Sequence, residues 1–196
     1  MGMTLETKKI EKIFGRPIIP FISVLGVDTA SRTGWCRAIT DPDKIELDYG
    51  FISVHTTEQH HKYDQYINAF DSIINEGDIV IIEESFYGKN VKTFQLLSRL
   101  GAFIYMLAHQ KRIEDKKFML ATTARRILGF KGNLKKEIFQ KEFIERVKLN
   151  TDDNDIVDAI ALAFCGILEP IVLEQKIKIK KERVKKEFKR KKDIVF

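Results

Sequence analysis

The sequence predicts an α/β protein with a five-stranded mixed sheet flanked by helices, and three observations carry that expectation. The first is residues 78–86, where Ile79, Val80, Ile81 and Ile82 run abruptly into Glu83 and Glu84. Four consecutive β-branched residues after Gly77 read as a central strand covered on both faces. The second is the order of elements around it: three strand-like stretches, an amphipathic helix, then this strand. Such a crossover makes the fourth strand parallel to the first. The third is size, since 196 residues with 44% hydrophobic content supply one sizeable core.

Taken in order, residues 1–20 mix polar and apolar positions without a strong period and read as an N-terminal extension. Residues 21–28 form a strand ending in Asp28, and 29–34 a turn. Trp35, Cys36, Arg37, Ala38 and Ile39 return beside the first strand. After the turn at Asp41, Pro42 and Asp43, residues 45–54 make a third strand with Gly50 as an expected bulge. Tyr63, Tyr66, Ile67, Phe70, Ile73 and Ile74 recur at helical spacing within 60–76. That helix leads into the acid-terminated strand. Asn90 is expected to cap a long apolar helix over 91–110. A fifth strand at 117–121, a short helix at 123–128, a further helix at 134–147, and a last helix opening after Thr151, Asp152, Asp153 and Asn154 complete the domain, 21–169.

The net charge of +6 is unevenly placed. Beyond residue 170 there are eleven Lys or Arg against four Asp or Glu, so the remainder is close to neutral. Leu173, Ile177, Val184 and Phe188 fall on one stripe of that tail, which predicts a basic helix over 170–196. It suits a grip on nucleic-acid phosphates, or docking on another protein. Cys36 and Cys165 stand alone and fit a reducing, cytoplasmic setting; no zinc site is expected from them or from His60 and His61. The apolar runs 18–27 and 159–168 are too interrupted or too short for a signal sequence or a membrane span.

Three separated segments each offer an acid at a comparable place: Asp28 and Glu83 end strands, while Asp155 and Asp158 share a helix face. Asp152 and Asp153 are explained by the helix dipole. Asp158 is not, because it sits in the second turn between apolar residues, where an acid is costly without a counterion. Converging carboxylates of this kind suit divalent ions with oxygen ligands.

On Gly26-Val27-Asp28 with Thr33-Gly34, on Ile82-Glu83 followed by Phe86, Lys89 and Asn90, and on Asp155-Ile156-Val157-Asp158-Ala159, the chain resembles the RuvC family of Holliday junction resolvases, within the ribonuclease H-like fold. The resemblance implies that Asp28, Glu83, Asp155 and Asp158 are catalytic and hold two Mg²⁺ ions, with Mn²⁺ able to substitute. Glu84 has no role in it. Phe86 matches an aromatic near the junction centre, and Lys89 begins a helix that contributes to a dimer interface. The family also places basic groups near the scissile phosphate, for which Arg125 or Arg126 and Lys135 or Lys136 are the candidates. Two departures are visible: Thr29-Ala30 stand where the family has Pro-Gly, and Arg99 is displaced by one position.

The resulting expectation is a homodimeric, magnesium-dependent endonuclease, nucleoid- or viral-DNA-associated and not secreted, that nicks four-way DNA junctions in pairs to leave 5′-phosphates and 3′-hydroxyls. Other branched DNA or RNA-containing substrates, and a non-catalytic junction-binding protein, are the alternatives. Sugar kinases and actin-like ATPases share the fold but need a second such domain, for which the chain is too short.

Overall fold

The computed structural model describes residues 1–30, 32–54, 58–85 and 90–168. Among the described residues six strands form one mixed sheet: β1 (Gly2–Glu6), β2 (Ser23–Asp28), β3 (Arg32–Thr40), β4 (Lys44–Ser53), β5 (Asp78–Glu83) and β6 (Lys116–Met119). Their spatial order is β1-β4-β3-β2-β5-β6. β2, β3 and β4 are the expected antiparallel meander, and β5 and β6 add parallel strands on the other side of β2.

Alternation along β2 and β5 divides the core. Leu25, Val27, Val80 and Ile82 pack towards α2 (Gln59–Ile73) and α3 (Val91–Gln110), with Tyr66, Phe70 and Ile104. Val24 and Ile81 point the opposite way, towards α6 (Asn154–Ile167). A period of two therefore sets Asp28 and Glu83 on the α6 face. That face is the larger core and includes α1 (Thr7–Phe14), α4 (Ala121–Ile127) and α5 (Lys136–Val147).

Four expectations need correction. The sheet has a sixth strand, because residues 2–6 pair antiparallel with β4 from Gly2↔Asp48 to Glu6↔Lys44. Residues 1–20, expected as an N-terminal extension without a strong period, accordingly supply an edge strand and a packed helix. Ile10 is fully buried, Phe14 packs on Phe164 at 5.9 Å between ring centroids, and Arg16 Nη1 donates to Ile127 O at 3.0 Å. Gly50 is not a bulge: the β3–β4 register runs through it unbroken, and the missing side chain makes room for the Trp35 indole. The second helix ends at Ile73 instead of running to 76. The basic tail, 170–196, lies outside the described residues, as do Phe86 and Lys89.

Two glycines let α6 lie against the sheet. A Cβ built on Gly26 would collide with Ala159 O and stand 2.5 Å from Ala163 N. One on Gly34 would collide with Asp155 O and stand 3.1 Å from Ile156 N. Ala159 and Ala163 on the helix answer Gly26, while Gly34 makes room for the backbone of Asp155 and Ile156. Asp153 supplies the cap, its side chain accepting from the backbone N–H groups of Asp155 and Ile156 at 3.2 and 3.3 Å.

Candidate active site

Parallel pairing of β2 and β5 places Val27 opposite Ile82, so Asp28 and Glu83 leave the sheet side by side. α6 crosses above them and brings Asp158 down from its second turn. Ligand oxygens of Asp28, Glu83 and Asp158 all lie within 4.8 Å of one another. Asp28 and Asp158 are buried, at 4% and 8% exposure, which is far from where solvent disperses charge.

That proximity is electrostatically costly. Burial first, then the charges of Glu83 and Asp158, hold the Asp28 carboxyl well above the usual carboxylate range. Burial and Asp158 raise Glu83 in the same sense, and burial raises Asp158 despite Lys136. Asp28 Oδ2 is buried and has no hydrogen-bond partner among the described residues.

Two residues on α5 meet the cluster. Lys136 Nζ stands 2.6 Å from Asp158 Oδ2 and 4.0 Å from Asp28 Oδ2. One turn later, Gln140 Nε2 donates to the same Asp158 oxygen at 3.0 Å and to Asn154 O at 3.1 Å. Gln140 was not among the expected site residues. Its signal lay in the helical spacing of Lys136 and Gln140, which puts both on one face. Arg125 lines the small cavity beside Glu83, Lys136 and Asp158. Its Nη1 donates to Leu134 O at 2.7 Å, which fixes the guanidinium across the turn before α5.

The pairs left open by the sequence are thus separated. Arg125 and Lys136 line the cavity, while Arg126 and Lys135 are exposed and do not line it. Asp155 is not brought into the trio. Arg32 Nη1 donates to it at 3.1 Å, with Nη2 on Asp153 at 2.5 Å, and the guanidinium stacks 3.5 Å from the Phe51 ring centroid. Glu84 is exposed, and its N–H donates to Met119 O at 2.9 Å. Thr29 and Ala30 close the turn after β2 without Pro-Gly: Thr29 Oγ1 donates to Glu83 O at 3.3 Å, and Thr33 Oγ1 to Ala30 O at 3.0 Å.

A divalent cation fits this donor set. The residues offer hard carboxylate oxygens, one of them buried and unpartnered, and a charge that burial alone would drive towards protonation. A second exposed group, Glu58, His60 and His61, has ligand atoms equally close. It lies at the start of α2 and has no buried member.

Comparison with known proteins agrees with the architecture. A family model described as crossover junction endodeoxyribonuclease RuvC matches residues 24–166. Among solved structures, Thermus thermophilus RuvC in complex with Holliday junction substrate superposes with a TM-score of 0.62 at 13% identity, covering 72% of this chain and 90% of that one. A further T. thermophilus RuvC structure gives 0.59 at 12% identity, covering 72% and 91%. At such identities the likeness shows the fold. No curated protein matches significantly.

Proposed function

The chain belongs to the RuvC family of crossover junction endodeoxyribonucleases, hydrolases that resolve Holliday junctions, and on that premise we propose that it cuts four-way DNA junctions with Mg²⁺ held by Asp28, Glu83 and Asp158. The observation that carries this reading is the convergence of those three acids around a buried, unpartnered oxygen of Asp28. Asp155, one turn from Asp158, joins as a further ligand when Arg32 releases it. Mn²⁺ offers the same preference for oxygen ligands and substitutes.

Bound cations would supply Lewis-acid stabilisation of the phosphodiester and a more acidic water. The chain's own groups do the rest. Gln140 fixes the rotamer of Asp158, so that its carboxylate is oriented before substrate arrives. Arg125 and Lys136 present positive charge at the cavity and position the scissile phosphate. Arg126 and Lys135 extend that charge along the surface for the flanking backbone, with Phe86 and Lys89 following β5 as further DNA contacts. The basic tail adds salt-sensitive affinity for DNA.

We assign a homodimer to explain paired nicks, since two equivalent strands then meet two equivalent sites. Support comes from exposed apolar residues on α3 and the neighbouring β6 edge: Val91, Phe103, Met106, Phe118 and Leu120. No described helix is long and apolar enough to cross a membrane.

The test is cleavage of a labelled four-way junction beside a linear duplex and an RNA–DNA hybrid, with Mg²⁺ and with chelator, for wild type and Glu83→Gln. Paired nicks confined to the junction, lost with chelator and in Glu83→Gln, are expected. Cleavage of every substrate would reject the junction assignment, and tight junction binding without cleavage in any metal would reject the nuclease.

A further inference from the structure

We infer that Lys136 is a tethered counterion of the metal centre: in the metal-free protein its ammonium holds the position between Asp158 and Asp28, and a divalent cation enters by displacing it. The inference rests on the metal-site reading given above and adds to it a built-in competitor.

The ammonium is 2.6 Å from Asp158 Oδ2 and 4.0 Å from Asp28 Oδ2. Asp28 Oδ2 has no hydrogen-bond partner among the described residues, and the Lys136 charge, 4.0 Å away, serves it through space. A Mg²⁺ ion requires oxygens at about 2.0–2.1 Å. An ion bound to Asp158 Oδ2 and Asp28 Oδ2 would compete with the ammonium for the same oxygens. Like charge opposes joint occupancy even where space allows it.

The two α5 donors differ in the way displacement requires. Lys136 opens the helix, and its side chain is 46% exposed, so its flexible stem can carry the charge outwards at little cost. Gln140, 4% exposed, is held by Asn154 O as well as by Asp158. When the ammonium leaves, the amide keeps the carboxylate oriented. The released Lys136 then keeps its charge at a cavity that Arg125 also lines, where it can meet a phosphate. Cation loading and exposure of a phosphate-binding charge become one event.

The experiment is calorimetric titration of the full chain with Mn²⁺, without DNA, for wild type, Lys136→Met and Asp158→Asn. Close charge pairs couple strongly enough that removing the competitor is expected to tighten Mn²⁺ binding about tenfold or more in Lys136→Met. Asp158→Asn should bind far more weakly than either. A second readout uses the wild type alone: acylation of Lys136 by an amine-reactive ester, followed by mass spectrometry, should accelerate when Mn²⁺ saturates the site. Equal or weaker Mn²⁺ affinity in Lys136→Met, or an acylation rate that Mn²⁺ leaves unchanged or slows, overturns the inference. Absence of Mn²⁺ binding in the wild type rejects the metal centre itself and the inference with it, so the two failures are distinguishable. Should Lys136→Met not fold, the wild-type acylation comparison decides alone.

Discussion

Replacing Gly26 by Ala should damage both stability and catalysis, because this one position sets the distance between α6 and the sheet. The added methyl would collide with Ala159 O and sit 2.5 Å from Ala163 N. Ordinary contact needs roughly 3.5 Å, so the helix must retreat by about 1 Å. Both obstructing atoms belong to the α6 backbone, and no rotamer change relieves them. Overpacking of this kind costs about 1–3 kcal/mol, and here the upper end applies since a whole helix has to move. Asp158 rides on that helix, and a displacement of about 1 Å from Asp28 and Glu83 is expected to reduce junction cleavage about 100-fold. Urea denaturation in the presence of chelator measures the first effect, and single-turnover cleavage the second. A Gly26→Ala protein within about 0.5 kcal/mol of wild type, or one that cleaves at the wild-type rate, would refute the argument that close approach of α6 builds the site.

Three further outcomes follow from the same geometry. Asp28, Glu83 and Asp158 titrate above their ordinary range in the fold, so their contribution to stability is present at low pH and is lost as pH rises through those raised values. The metal-free protein should therefore lose melting temperature as pH rises above the ordinary carboxylate range. Asp28→Asn should flatten that slope and stabilise the neutral, chelated protein by about 1–2 kcal/mol, which thermal scans across pH will show. Gln140→Leu removes a donor from Asp158 and from Asn154 O; it should weaken Mn²⁺ binding about 10–100-fold with the fold retained by circular dichroism. Met106→Glu, at 55% exposure on α3, should leave the fold intact and shift the protein towards monomer in sedimentation if α3 carries the dimer contact.

Much of this protein is local and was legible in the chain. The apolar run of Ile79 to Ile82, buried from Val80 on, forces a central strand, alternation in the flanking strands assigns faces, and caps at Asn90 and Asp153 start helices where expected. Asp28 and Glu83 could be named because each ends a strand whose type is set by its neighbours, and Asp158 because it interrupts an apolar stripe. What tertiary structure alone decided depends on groups distant in sequence. Residues 2–6 become a strand only because β4 offers an edge, and α1 a helix with a buried face only because α6 lies beneath it. Lys136 reaches the acids and Lys135 does not, a choice made by the angle at which α5 enters. Asp155 is drawn to Arg32, a partner at the far end of a hairpin more than a hundred residues earlier. Periodicity fixes which face a side chain takes, but its partner on that face is set by how helices and sheet pack, and packing is a property of the whole chain.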